Sequence, residues 1–410
     1  MNRRDFLKTS AALLTLGVLG CQKKTGIVVE KAEEKGQMTC RKFPGLDPRV
    51  SLLGFGLMRL PRSGPGPEID KEKASSLIDL AMKNGVTYYD TAWMYHSGLS
   101  ERFAGEALKK YPRESFFLAD KLPHWEAKDE AEALKIFEEQ LNRCQTEYFD
   151  FYLIHSLNGG SWPHARDEGP LSMAEKEKEK GRIKYLGFSF HGENKDFPDI
   201  IKYRKWDFVQ IQANYYDWDD YAGELYQIAT DAGIPVVIME PLRGGELANV
   251  LPQTKAIFEK AKPGSTPAEW AFRYIASLPN VLTVLSGMNE KFQLEENLKT
   301  FSPLKELSEA EKGTIKEALA MIKDEGKVPC TACRYCMPCP VGVAIPDVFK
   351  IYNEYRSTLV KWKSAREYQK LPEESRATAC VGCQACVSKC PQKINIPEEL
   401  KRAHAELTAS

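Results

Sequence analysis

Between residues 50 and 300 the chain repeats one pattern eight times: a short apolar run rich in β-branched and aromatic residues, then an amphipathic stretch. The apolar runs fall at 50–55, 86–91, 115–121, 149–155, 183–190, 208–213, 234–240 and 281–287. Each is nearly continuously apolar, as a strand buried on both faces must be, which is the habit of parallel sheets. Helical periodicity fills several of the gaps, at 71–84, 101–110, 130–142, 267–276 and 290–300. Eight alternating units over about 250 residues predict an α/β chain whose strands close into a (β/α)8 TIM barrel. An open doubly wound sheet is the competing solution, but no Gly-x-Gly-x-x-Gly follows the first run. The predicted barrel occupies residues 41–310.

In parallel barrels chemistry gathers where strands end and loops begin. The second run ends at Asp90 and Thr91, with Tyr95 just beyond; the third ends at Lys121 and the fourth at His155. Each has an ordinary structural explanation. Asp caps helices, Tyr packs, Lys decorates rims, and His sits satisfied in cores. Four proton-bearing side chains leaving adjacent strands at one end of a barrel point instead to a site.

These residues resemble the aldo-keto reductases, whose barrels carry an Asp, a Tyr in the loop that follows, a Lys after the third strand and a His after the fourth. The resemblance covers roughly residues 45–300, and Leu53-Gly54-Phe55-Gly56 is similar to the family's first strand. It implies hydride exchange between a nicotinamide and a small carbonyl or alcohol. By this resemblance Tyr95 is the general acid, Lys121 lowers its pKa, Asp90 holds Lys121 in place, and His155 hydrogen-bonds the carbonyl oxygen. It also implies cofactor contacts from Ser189, Gln210, Ser286 and Asn297. Three positions depart from the family. Phe190 replaces a frequent Asn, Met239 falls where an aromatic stacks on nicotinamide, and Gln293 falls where an Arg meets a 2′-phosphate. A neutral Gln cannot offset that phosphate, so NAD(H) is expected over NADP(H). Trp93, Trp125, Trp162, His164 and Arg166 are loop residues that could line a substrate pocket.

Eleven cysteines are present, and eight form two runs. Cys380, Cys383, Cys386 and Cys390, with Pro391 behind them, have the bacterial-ferredoxin spacing for a 4Fe-4S cluster. Cys330, Cys333, Cys336 and Cys339 precede Pro340, with one residue fewer before the last cysteine. Zinc favours two separated pairs, and disulfides between such close neighbours are strained. Two clusters are therefore expected, the fourth cysteine of each run ligating the other cluster. That pairs Cys390 with Cys330, Cys333 and Cys336, and Cys339 with Cys380, Cys383 and Cys386. Helical patterns at 345–355 and 359–369 separate the runs, so residues 326–410 are expected to form a small, mainly helical iron–sulfur domain. Aldo-keto-reductase-like proteins with this tail are a recognisable branch of the family. Single-electron centres imply an external electron carrier. An electron-transfer or binding protein with an idle barrel is the alternative function.

The N-terminus reads as an address. Arg3-Arg4-Asp5-Phe6-Leu7-Lys8 resembles a twin-arginine export motif, and residues 11–20 are apolar but too short to span a bilayer. Val18-Leu19-Gly20-Cys21 resembles a lipobox, so residues 1–21 are expected to be an export signal, with lipid on Cys21 holding the protein on the periplasmic or cell-surface side. Residues 22–40 are expected to be a flexible tether. With 57 basic and 57 acidic residues the net charge is zero, which leaves no footprint for nucleic acid.

Overall fold

The structure is a computed structural model describing residues 28–29, 37–42, 49–64, 66–324, 326–358 and 361–408. Eight parallel strands close into a barrel: β1 (Leu53–Gly56), β2 (Tyr88–Asp90), β3 (Phe117–Leu122), β4 (Phe149–Leu157), β5 (Ile183–Phe190), β6 (Phe208–Gln212), β7 (Val236–Met239) and β8 (Val281–Ser286). β8 returns to β1 with Val284 opposite Leu53, which closes the ring. Tyr88, Phe151, Phe208, Val237 and Leu282 fill the interior. The ring of Phe151 lies 5.0 Å from that of Tyr88 and 5.1 Å from that of Phe208, so the barrel is a packed core and not a pore.

One main helix follows each strand: α1 (Lys71–Lys83), α2 (Leu99–Leu108), α3 (Glu130–Cys144), α4 (Pro170–Glu179), α5 (Phe197–Tyr203), α6 (Gly223–Asp231), α7 (Pro267–Ala276) and α8 (Lys291–Phe301). Local chemistry starts several of them. Asp70 accepts from Lys73 N at 3.0 Å and Asp129 from Glu132 N at 2.8 Å. Thr266 caps α7 just before Pro267, whose missing N–H costs nothing in a first turn.

The first predicted strand is two strands. Val50–Ser51 pairs antiparallel with Cys40–Lys42, and the barrel strand begins only at Leu53. Val28–Val29 pairs with the same Cys40–Lys42 strand, so part of the expected tether belongs to the fold. Met38 is buried and Thr39 N donates to Phe301 O at 2.9 Å. Arg41 fixes this small sheet beneath the barrel: its guanidinium donates to Ala276 O at 2.6 Å, Leu278 O at 2.8 Å and Val281 O. The expected export signal, 1–21, lies outside the described residues. Among the described residues no helix is long and apolar enough to cross a membrane.

Helix α9 (Glu309–Asp324) packs Ile315, Ala318 and Ile322 against Trp270 and Phe258, which carries the barrel unit past the expected end at 310. Beyond it, α10 (Ile345–Thr358), α11 (Lys361–Lys370) and α12 (Ile396–Thr408) surround a separate core of Val348, Phe349, Tyr352, Tyr368 and Leu400. The helix expected from 359 begins at Lys361 among the described residues.

Candidate active site and cluster cradle

Asp90, Tyr95, Lys121 and His155 meet at the C-terminal mouth of the barrel. Lys121 is fully buried; its Nζ donates to Asp90 Oδ1 and to Thr91 O, each at 2.6 Å. Tyr95 opens a short turn in which His96 and Ser97 are left-handed, with φ of 51° and 55°. Lys121 Nζ stands 4.8 Å from the Tyr95 ring centre, and that ring meets the His155 ring edge-on at 6.2 Å. Asp90 Oδ2 and His155 Nδ1 are buried with no hydrogen-bond partner, the mark of groups waiting for a ligand or water.

Burial dominates the electrostatics of these groups. Burial, with Asp90, Glu240 and Asp120 adding to it, holds the Tyr95 phenol well above its ordinary pKa. Lys121, beside that ring, is paired to Asp90. Burial pushes the Asp90 carboxyl up, with Lys121 pulling against it. Burial and the Lys121 charge keep His155 well below the usual imidazole range, so it is a neutral ring at pH 7.

A cleft of about 510 Å³ opens over these groups, and Gln210, Ser286 and Asn297 stand on its wall with Asp90, Tyr95 and His155. Gln210 Oε1 is buried without a partner while its Nε2 donates to Met239 Sδ at 3.4 Å. An orphaned acceptor there suits a carboxamide N–H, so the wall fits a nicotinamide. Asn297 Nδ2 donates to Ser286 Oγ at 3.0 Å. Ser189 is not on the wall; its Oγ accepts from Ser156 N at 2.7 Å and so fixes the backbone just after His155, where Ser156 is left-handed. Phe190 turns inward onto Phe197, 4.8 Å away, and His191 takes the place on the wall. Gln293 is occupied at the start of α8, where its Oε1 accepts from Asn289 N at 2.9 Å and Glu290 N at 3.1 Å.

Among the loop aromatics, Trp125 lies against His155 with ring centres 5.4 Å apart. Trp162 instead packs on Tyr203, and Trp93 lies under the Arg143 guanidinium. His164 Nε2 contacts His124 O at 2.9 Å, and Arg166 pairs with Asp167. These four are structural.

The cysteines are arranged as crossed ligation requires. Cys330, Cys333, Cys336 and Cys390 ring one small enclosure walled by Phe349, Ile345, Ile394 and Ile396. Cys386 has Cys380, Cys339 and Cys383 as its thiol neighbours. The two loops share one backbone. Two residues after the first cysteine, Ala332 and Gly382 are left-handed; four residues after it, so are Arg334 and Gln384. Met337 N bonds to Arg334 O as Val387 N bonds to Gln384 O. The shorter spacing before Cys339 therefore leaves the backbone around the first three cysteines alike in the two loops, and each set supplies the four thiols that a 4Fe-4S cluster takes.

The cradle rests on the barrel mouth. Arg59 donates to Thr331 O at 2.7 Å. Gln212 and Gln392 exchange amide hydrogen bonds at 3.0 and 2.9 Å. Thr331, Cys333, Tyr335 and Gln392 thereby become part of the cleft wall. Sequence reasoning passed over Tyr335, His191, Arg59 and Glu240 as site residues. A bulky aromatic between two ligand cysteines was the available signal for Tyr335.

The eight-stranded barrel with these residues and a cleft at its C-terminal mouth is the fold of a TIM-barrel oxidoreductase. The Aldo/keto reductase family pattern matches residues 52–320, and the chain belongs to that family. A 4Fe-4S dicluster domain matches residues 329–394, making the chain an oxidoreductase of this family with a ferredoxin-type domain. It is 27% identical over 296 residues to the "Uncharacterized oxidoreductase YqkF" of Bacillus subtilis, covering 64% of this chain and 90% of that one. It is 25% identical over 303 residues to the "NADH-specific methylglyoxal reductase" of Escherichia coli, covering 62% and 90%. Aldo-keto reductase AKR11C1 from Bacillus halodurans, in its holo form, superposes with a TM-score of 0.58 at 26% identity, over 69% of this chain and 96% of that one.

Proposed function

We propose that the barrel interconverts a small carbonyl and an alcohol with NAD(H), one hydride passing between nicotinamide and substrate and one proton through Tyr95, and that the two clusters of the C-terminal domain separately exchange single electrons with an external one-electron carrier. The observation that carries the reading is one cavity whose wall includes both Tyr95 and the cluster ligand Cys333. When bound, the nicotinamide supplies the hydride and the clusters supply single electrons. The chain's own residues do the rest. Neutral Tyr95 holds the proton that a developing alkoxide needs. Asp90 and Lys121 form a fixed ion pair beneath it, and uncharged His155 orients the carbonyl oxygen. Gln210 Oε1 receives the carboxamide, and Asn297 and Ser286 face the adenine end.

The preference for NAD(H) rests on Gln293, which is neutral and engaged in its cap, and on Glu296, an acid on the same wall. Lys255 on that wall is a weaker counterweight as a single point charge. Equilibrium binding of NADH and NADPH to the cluster-loaded full chain tests this: NADH should bind more tightly, and tighter NADPH binding would overturn the preference. The alternative of an idle barrel draws on Met239, which occupies the expected stacking position and is bonded to Gln210.

The twin arginines and the Leu-Gly-Cys ending support export and lipid attachment at Cys21. Wild-type protein should fractionate with membranes and Cys21→Ser should not; a wild-type protein in the soluble cytoplasmic fraction would refute it.

A further inference from the structure

The loop that carries Cys333 and Cys336 also carries Tyr335, and this ring is not part of the small domain's own core. It reaches instead into the barrel cleft, on whose wall it stands with Tyr95, His155 and His191. Its ring meets that of His191 edge-on, with centres 6.1 Å apart. Tyr95, Lys121 and Glu240 are all close enough to act on its hydroxyl electrostatically. Tyr335 is half-buried, and among the described residues its hydroxyl makes no hydrogen bond. A hydroxyl standing free on the cleft wall is available to donate to a ligand bound there.

Its position is fixed from both sides. Arg59, next to the cleft, holds Thr331 O at 2.7 Å. Gly244 lies so close beneath the same loop that an added Cβ would stand 2.6 Å from Thr331 Cα. The reciprocal Gln212–Gln392 pair ties down the second cysteine loop. A loop anchored this way places a side chain with the accuracy that a reaction site needs. The barrel's own loops supply the floor, and the cluster loop supplies the roof.

We infer that Tyr335 is a substrate-contacting residue of the barrel site, donating its hydroxyl to a polar group of the bound carbonyl compound. This rests on the proposed carbonyl–alcohol chemistry and adds to it a specificity contact delivered by the iron–sulfur domain. It predicts small substrates carrying a second oxygen near the carbonyl, such as hydroxyaldehydes and ketoaldehydes. One oxygen would meet Tyr95 and His155 and the other Tyr335.

The test uses full-length, cluster-loaded wild-type, Tyr335→Phe and Tyr335→Ala protein. NADH binding is read by fluorescence, and steady-state reduction is measured over a panel of glyceraldehyde, glycolaldehyde, methylglyoxal and propanal. Calorimetry of the same aldehydes on NAD⁺-loaded protein gives a binding constant independent of turnover. Tyr335→Phe should keep its iron content and its NADH Kd. Its KM and calorimetric Kd for the oxygenated aldehydes should rise about three- to tenfold, the range of one neutral hydrogen bond, and those for propanal should not. Unchanged constants for every aldehyde in Tyr335→Phe would overturn the inference and leave the barrel chemistry standing. If Tyr335→Ala sheds iron, Tyr335→Phe alone decides. A wild-type protein that binds NADH but turns over none of the panel, or that binds no NADH, overturns both the function and this inference.

Discussion

Lys121 Nζ sits 2.6 Å from Asp90 Oδ1, with both side chains almost wholly out of solvent. Two charges taken from water at this depth are held only by each other and by the Thr91 carbonyl. The pair fixes the ammonium 4.8 Å from the centre of the Tyr95 ring, whose hydroxyl burial keeps protonated.

The pair makes Lys121→Met informative. Removing the ammonium leaves the Asp90 carboxyl buried without its counter-charge, a loss of about 3–5 kcal/mol if it stays ionised. Asp90 is already pushed toward protonation by burial, so it should instead take up a proton and the loss should be smaller. Chemical unfolding of the variant should show a deficit that shrinks as pH falls. A deficit independent of pH would contradict this account of the pair.

The crossed cradle predicts which cysteines act together. Cys333→Ser and Cys390→Ser should weaken the same cluster signal, and Cys383→Ser and Cys339→Ser the other. Electron paramagnetic resonance of the reduced protein distinguishes the two sets. Wild-type protein purified without air should hold about eight iron and eight sulfide per chain. Loss of one signal by Cys333→Ser and of the other by Cys390→Ser would refute crossed ligation.

His124 gives a pH prediction with a definite sign. It is buried, both ring nitrogens lack partners, and burial with His164 nearby lowers its pKa to about 4. In the unfolded chain it titrates near ~6.5. Its neutral form therefore stabilises the fold fully above that pH, and this contribution is lost as pH falls toward 4. A His124→Phe variant lacks the term. Relative to wild type, the variant should gain by up to about 1.4 kcal/mol per pH unit between pH 6.5 and 4.5. Urea midpoints with cluster absorbance followed in parallel check it; parallel pH profiles would contradict it.

The barrel was legible because strands buried on both faces cannot alternate, and eight uninterrupted apolar runs leave few other folds. The tetrad was legible because strand ends mark the mouth. Limits appeared where tertiary contacts decide. Leu52 bends between two strands inside one apolar run, and nothing local says so. Ser189 was expected on the cofactor and serves the Ser156 backbone, a choice made by the neighbouring strand. Tyr335 reaches its place through the docking of one domain on another, which residue spacing does not encode.

The most direct test of the account is Tyr95→Phe in the full-length, cluster-loaded protein, assayed for NADH-dependent reduction of an aldehyde that the wild type turns over. The account predicts that turnover falls by about 10² to 10⁴, the worth of a general acid, while NADH affinity and iron content stay as in wild type. Turnover in Tyr95→Phe equal to that of the wild type would contradict it.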